Sequence, residues 1–86
     1  MTIGITFKLY AGLTQYLPPE SRPGNAMALQ LPEATTVLQA MQPFNLPMKI
    51  VKLVLVNGVY IPPERWETHA LQDGDVLAIW PPVAGG

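Results

Sequence analysis

The sequence contains no cysteine. This absence excludes disulfide bonds, thiolate metal sites, iron–sulfur clusters and a cysteine nucleophile. Charged residues are also scarce, at 13% of the chain, and five basic and six acidic residues give a net charge of −1. No segment concentrates lysine or arginine, so the sequence lacks the electrostatic pattern of a protein that binds nucleic acid or a membrane surface.

Long hydrophobic runs are missing as well. No apolar stretch approaches the roughly 20 residues of a membrane-spanning helix. The opening residues Met1-Thr2-Ile3-Gly4 do not form the charged and apolar regions of a secretion signal. We therefore expect a cytoplasmic protein with no membrane partner. Apolar residues make up 49% of the 86 residues, which predicts one small globular domain rather than a disordered chain.

Five segments have the alternating or continuously apolar pattern of β-strands. They are residues 3–10, 27–31, 52–56, 59–61 and 76–80. Between the third and the fourth lies Asn57-Gly58, a strong signal for a two-residue hairpin turn. The first two segments are also expected to form a hairpin.

One helix is predicted between the second and third strands. Thr36 and Gln39 have the spacing of a capping box, in which each side chain bonds to the backbone N–H of the other residue. We expect the helix to run to about Gln42, because Pro43 cannot continue it. The residues that follow, 44–48, are expected to cover the core. The element order predicts an α+β domain with one sheet and one short helix.

The third and fifth strands, residues 53–56 and 76–80, are apolar on both faces. One short helix can cover only one face of a sheet. Either a partner subunit covers the second face, or loops of the chain fold back over it. Large exposed apolar patches usually mark interaction sites, so the pattern favours the partner.

No group of side chains predicts an active site inside the domain. His69 is the only histidine, and its neighbours in the sequence favour a surface loop. Asp73 and Asp75 flank Gly74, which is the usual composition of a tight turn. We expect neither a metal site nor a bound cofactor.

The end of the sequence has the pattern of a carrier. Two consecutive prolines, Pro81 and Pro82, remove two backbone donors and end sheet pairing after Trp80. An extended tail from Pro81 reaches roughly 20 Å at ~3.3 Å per residue. Gly85 and Gly86 are slim enough for a narrow site. We divide the chain into a domain, residues 1–80, and a flexible tail, residues 81–86, whose terminal carboxylate is the expected reactive group. A frayed end of small residues is the simpler alternative.

The tail Pro81-Pro82-Val83-Ala84-Gly85-Gly86, preceded by Asp73-Gly74-Asp75-Val76, resembles the C-terminus of the MoaD/ThiS family of ubiquitin-like sulfur carriers. The strand Ile5–Tyr10, the helix start at Thr36 and the Val56-Asn57-Gly58 hairpin agree with it in order and length. The resemblance implies a β-grasp (ubiquitin-like) fold. In that fold, a mixed sheet of about five strands packs on one short helix, with the first and last strands adjacent and parallel.

The resemblance also implies a mechanism. In this family an adenylating enzyme of the ubiquitin-activating type (MoeB/ThiF-like) uses ATP to activate the terminal glycine. A sulfurtransferase then helps convert it to a thiocarboxylate. Gly86 would therefore be adenylated and thiocarboxylated, and the carrier would have no enzymatic activity of its own. The residues implied to bind partners are Trp80, Pro81, Pro82, Val83, Ala84 and Gly85.

Two branches of the family compete. Pro81-Pro82-Val83 resembles MoaD, the small subunit of molybdopterin synthase, which inserts its tail into a MoaE-like large subunit. Residues 59–66 and 71–75 are closer to ThiS, which supplies sulfur for the thiazole of thiamin. The tail favours the MoaD branch. We give it more weight because the activating enzyme and the acceptor both bind the tail. A carrier for another pathway, a ubiquitin-like modifier and a β-grasp binding module remain as alternatives.

Overall fold

The computed structural model describes residues 1–82. The strands are β1 (Thr2–Leu9), β2 (Ala26–Pro32), β3 (Leu53–Val56), β4 (Val59–Tyr60) and β5 (Val76–Trp80), and the α-helix α1 is Val37–Met41. Short 3₁₀ helices lie at Ala11–Tyr16, Pro19–Ser21, Gln42–Phe44, Met48–Ile50 and Pro63–Arg65.

The strands form one mixed sheet in the order β2-β1-β5-β3-β4. β1 and β5 are parallel, and the other neighbouring strands are antiparallel. This is the β-grasp arrangement, with a five-stranded sheet and one short helix, so the predicted fold class is confirmed. The last strand in the sequence is thus the middle strand of the sheet.

The core lies between the sheet and α1. Alternate residues of β1 from Ile3 to Leu9 are buried, as their period of two predicts. Leu77 and Ile79 of β5 are fully buried beside them. From the helix, Val37, Ala40 and Met41 are buried against this face of the sheet.

The predicted capping box of α1 is present. The Gln39 backbone N–H donates to Thr36 Oγ1 at 3.2 Å, and the Thr36 N–H donates to Gln39 Oε1 at 3.0 Å. The helix ends at Met41 with Gln42 as its C-cap, close to the predicted end. Five residues do not form a stable helix alone, so the buried side chains hold α1 in place.

The prediction for the connector of residues 44–48 is right for two of its apolar residues and wrong for the third. The ring of Phe44 stacks on Phe7 with centroids 4.3 Å apart, and Leu46 is buried. Met48, however, is 44% exposed. It begins a 3₁₀ turn whose residues all lie at the surface, so its side chain does not reach the core.

The Asn57-Gly58 hairpin is confirmed. β3 and β4 pair with Val56 opposite Val59, which leaves a two-residue turn. Asn57 has φ 52° and Gly58 has φ 81°. Both angles are positive, as the favoured two-residue hairpin turn requires, and asparagine and glycine tolerate that conformation best.

Candidate functional site

The tail leaves the sheet at Trp80, the last residue of β5. The backbone N–H of Tyr10 donates to the Ile79 carbonyl at 3.1 Å, and that of Lys52 donates to the Trp80 carbonyl at 3.1 Å. Since β5 lies between β1 and β3, it is bonded from both sides up to its final residue. The position from which the tail departs is therefore set by two neighbouring strands.

An aromatic stack lies at this departure point. The rings of Tyr10 and Trp80 have centroids 4.2 Å apart and an interplanar angle of 7°. Both residues are half-buried. The sequence reasoning selected Trp80 but missed Tyr10. The available signal was the parallel pairing of the first and last strands, which places the residue after Leu9 next to the one after Ile79.

The sheet face opposite α1 is apolar where β5, β3 and β4 lie, and we call this part of it the outer face. By strand register its apolar residues are Tyr10, Leu53, Leu55, Tyr60, Val76, Ala78 and Trp80. Leu53 is 36% exposed and Tyr60 is 50% exposed. Within residues 1–82, therefore, loops do not fold back far enough to cover this face. The explanation in which loops cover the apolar third and fifth strands therefore does not hold at Leu53 and Tyr60, whereas the central Ala78 is buried.

Regular strand structure ends at Trp80, as the two prolines predict. Pro81 is half-buried and Pro82 is exposed. The predicted threaded segment Val83-Ala84-Gly85 and the predicted reactive residue Gly86 lie outside the described residues. Their roles, and the division of the chain after residue 80, stay predictions.

At its other end, β5 is held by a buried carboxylate. Asp75 Oδ1 accepts from Asn57 Nδ2 at 2.9 Å, and Asp75 Oδ2 accepts from the Gln72 N–H at 2.9 Å. Asn57 Oδ1 in turn accepts from the Val76 N–H at 2.9 Å. A buried carboxylate with both oxygens bonded is stabilising rather than reactive. The predicted tight turn is confirmed by Gly74, whose φ is 88°, but this network was not predicted.

The other candidate polar residue, His69, is held in place by backbone hydrogen bonds. His69 is half-buried, and its backbone donates to the Arg65 carbonyl and accepts from the Val37 N–H. It borders a cavity of about 330 Å³ between the β3–β4 hairpin and Gln72. Across residues 1–82, no three His, Cys, Asp or Glu side chains come close enough to hold a metal ion. In the same range, no helix is both long and apolar enough to cross a membrane.

Comparison with known proteins gives the family. The model of the ThiS family matches residues 18–86, which is most of the chain. The chain therefore belongs to the ThiS family, and the suspected membership among the ubiquitin-like sulfur carriers is confirmed. No curated protein matches the sequence.

Solved structures agree in fold. Small archaeal modifier protein 1 from Haloferax volcanii has a TM-score of 0.68 at 22% identity, covering 94% of this chain and 99% of its own. Small archaeal modifier protein 1 from Methanosarcina acetivorans has a TM-score of 0.68 at 20% identity, and the alignment covers 100% of this chain and 99% of that one. A chain from the complex of subunits 1 and 2 of molybdopterin-converting factor from Helicobacter pylori has a TM-score of 0.63 at 14% identity. The alignment covers 98% of this chain and 100% of that one. At these identities the likeness shows the fold alone.

Proposed function

We propose that this protein is a sulfur carrier whose Gly86 is adenylated and converted to a thiocarboxylate, and that it donates this sulfur as the small subunit of molybdopterin synthase. The observation that carries the proposal is the family match, which extends through Gly86. In the sequence, Gly85 and Gly86 follow shortly after β5, the middle strand of the sheet, which supports their role as the activated end.

The chemistry requires a partner with ATP. A carboxylate is a poor electrophile, and adenylation by an enzyme of the MoeB/ThiF type converts it to an activated acyl group. The terminal sulfur of a sulfurtransferase persulfide then attacks the carbonyl carbon of Gly86 and displaces AMP. A thiol cleaves the resulting acyl disulfide, which releases the thiocarboxylate and leaves a disulfide on the sulfur donor. A side chain at Gly85 or Gly86 would obstruct this approach, whereas glycine leaves the carbonyl open. ATP is thus a substrate of the activating enzyme, and we place the reaction in the cytoplasm.

The described residues supply position rather than reactivity. Backbone bonds from Tyr10 and Lys52 hold the end of β5, and the Tyr10–Trp80 stack supports the same point from the outer face. A fully extended tail of residues 81–86 would reach roughly 20 Å from this support at ~3.3 Å per residue. Gly86 can therefore enter a site in a partner while the domain stays outside it.

The outer face is the proposed docking surface for the activating enzyme and for a MoaE-like large subunit. Of its exposed members, Leu53 lies on β3, the strand beside β5, and Tyr60 lies on β4, at the edge of the sheet beyond β3. Leu53 is directly opposite Trp80 in the sheet. A partner that covers Leu53 therefore lies next to the point from which the tail leaves.

A ubiquitin-like modifier is the second candidate. It is favoured by the shared fold with small archaeal modifier proteins. The activation of Gly86 would be the same, but the product would be an isopeptide bond to a lysine of another protein. A ThiS-like role in thiamin synthesis is a third possibility, supported by the similarity of residues 59–66 to that branch.

The test is intact-protein mass spectrometry after incubation with ATP, a sulfur source and the activating enzyme of the same host. We expect a gain equal to one oxygen replaced by sulfur. A Gly86 deletion should abolish the gain, and Gly85→Ala should reduce it. If an enzyme that is active on another carrier forms neither an adenylate nor a sulfur product here, the proposal is wrong.

A second step distinguishes the candidates. The sulfur-loaded protein is mixed with a MoaE-like subunit and the pterin precursor, and dithiolene formation is measured. Formation at a rate that depends on the loaded protein supports the molybdopterin role. Sulfur loading without dithiolene formation points to the thiazole pathway, and lysine-linked conjugates point to the modifier.

A further inference from the structure

The free edge of the sheet at β2 has a hydrogen-bonding pattern that can be read from the register. In an antiparallel pair, residues alternate between those that bond to the neighbour and those whose backbone groups point away. The Leu9 N–H donates to the Asn25 carbonyl at 3.1 Å, and the Glu33 N–H donates to the Met1 carbonyl at 3.1 Å. Asn25 and Glu33 lie just before and just after β2, and both are odd-numbered. By the alternation, the odd-numbered residues of β2 are therefore the ones that bond to β1.

The even-numbered residues of β2 therefore direct their backbone groups away from β1. Ala26, Ala28 and Gln30 each present one N–H and one C=O, and Pro32 ends the row because it has no N–H. Among the described residues, β2 pairs only with β1. A strand edge of this kind is a template for another strand.

This edge has little protection against pairing, since Pro32 at its end is the one residue of a protective type. No charged residue occurs from Ala26 to Pro32, whereas protein edges are commonly blocked by lysine or by an inward-pointing charge. Ala28, the middle one of the three residues whose backbone groups point outward, is exposed and has a small side chain. On the core side, Met27, Leu29 and Leu31 are only half-buried. The edge therefore has unpaired backbone N–H and C=O groups, and beside them apolar side chains that another strand can cover.

We propose that β2 pairs antiparallel with β2 of a second copy of this chain, about a twofold axis at Ala28. Ala28 then faces Ala28 of the partner subunit, and Ala26 faces Gln30 of the partner subunit. The outward N–H and C=O groups of these residues bond in pairs. The two five-stranded sheets join into one continuous sheet.

The register is self-complementary, which is why a second copy fits. It places Met27 opposite Leu29 of the partner subunit, so the half-buried apolar side chains complete their burial against each other. The segment before β2 carries both Glu20 and Arg22, and Glu33 follows β2. In the proposed register Glu33 lies beside Arg22 of the partner subunit, whereas parallel pairing in register would place Glu33 beside Glu33 of the partner subunit.

This interface is small and leaves the proposed sulfur-carrying site free. Seven residues span about 24 Å at ~3.4 Å per residue, and such a contact buries less than the ~800 Å² per partner of a standard interface. We therefore expect a weak, concentration-dependent dimer. β2 is separated from β5 by β1, so Trp80 and Leu53 stay accessible in it.

The test is sedimentation velocity of the full chain from about 1 µM to about 1 mM, the range in which weak association is measured. The wild-type sedimentation coefficient is expected to rise from monomer to dimer. Ala28→Lys and Ala28→Glu should each stay monomeric, because like charges then lie directly opposite one another. An equimolar mixture of the two should dimerise more tightly than the wild type. Thr68→Lys, at an exposed site far from β2 in the sequence, is the control and should behave as wild type.

Circular dichroism establishes that each variant is folded, and cross-linking gives an independent measurement. Because the chain has no cysteine, Ala28→Cys places one thiol at the twofold, where paired Cα atoms about 5.5 Å apart are within disulfide range. Mild oxidation should yield a disulfide dimer, and Thr68→Cys should not. A wild type that stays monomeric at about 1 mM overturns the proposal and leaves the edge to an extended segment of another protein. A dimer that persists in Ala28→Lys overturns it equally.

Discussion

The rings of Tyr10 and Trp80 stack 4.2 Å apart and nearly parallel, joining the residue after β1 to the last residue of β5. Seventy positions separate them in the sequence, so the contact exists only because the first and last strands are neighbours. It lies where the tail begins. We therefore expect the stack to contribute both to the stability of the sheet and to the position from which residues 81–86 leave it.

Tyr10→Ala should reduce both the stability of the fold and the rate at which Gly86 is loaded with sulfur. Loss of the stack and of half-buried ring surface is expected to lower the free energy of unfolding by about 1–2 kcal/mol, measured by denaturant titration. The rate of sulfur loading of Gly86, followed by mass spectrometry, should also fall. Tyr10→Phe keeps the ring and should retain both properties. Equal loading rates in all three proteins would show that the stack does not position the tail.

Leu53→Ser should weaken partner binding with little effect on folding. Leu53 is 36% exposed on the outer face, opposite Trp80. We expect at least about a tenfold loss of affinity for the activating enzyme, the effect of a central apolar contact, and less than about 1 kcal/mol of lost stability. Isothermal titration calorimetry measures the affinity.

Val59→Ser is the matched control. Val59 is 64% exposed, more than Leu53, but it pairs with Val56 and so belongs to the opposite side of the sheet. Its substitution should leave the affinity unchanged. Equal losses in the two variants would mean that binding depends on general apolar exposure rather than on the outer face.

Asn57→Ala should destabilise the fold more than Asn57→Gly. Both substitutions remove the side-chain bonds to Asp75 and Val76, at about 1 kcal/mol each. Alanine additionally has to adopt the positive φ of 52°, which costs an L-residue about 1 kcal/mol more than glycine. We expect losses of about 3 and 2 kcal/mol in urea unfolding. If Asn57→Gly is more destabilising than Asn57→Ala, the positive φ at this position does not explain the difference between the two variants.

Ala34→Gly should stabilise the protein. Ala34 is exposed and has φ 67°, a conformation that glycine adopts without strain. After allowance for the greater unfolded-state entropy of glycine, the net gain is about 0.5 kcal/mol, or a rise in Tm of about 2–4 °C in a scanning calorimeter. Ala26→Gly, in a strand and outside the positive-φ positions, should lower Tm instead. A lower Tm in Ala34→Gly would contradict the assignment of strain.

The features that were predicted correctly from the sequence depend on residues close together in the chain. The capping box joins Thr36 and Gln39 within one helical turn. The hairpin depends on Asn57 and Gly58 alone, and the buried face of β1 follows from its period of two. Each is determined by local backbone geometry, which the residue types specify directly.

The features that were missed join distant parts of the chain. Asp75 bonds to Asn57 across 18 positions, and Asp73 accepts from the Gly4 N–H across 69. The exposure of Met48 was also mispredicted, because it begins a 3₁₀ turn that lies at the surface. Such contacts depend on strand order and register, which no local pattern contains.

The sequence by itself predicted the strands and the one α-helix, the apolar third and fifth strands and the Gly85-Gly86 end on which the proposed chemistry depends. Only the tertiary structure decided that β5 is the middle strand, that Tyr10 supports Trp80 beneath the tail, and that the β2 edge is open. The physical reason is that residue type controls local conformation and burial, whereas neighbours in a sheet are selected by the packing of the whole chain around one core.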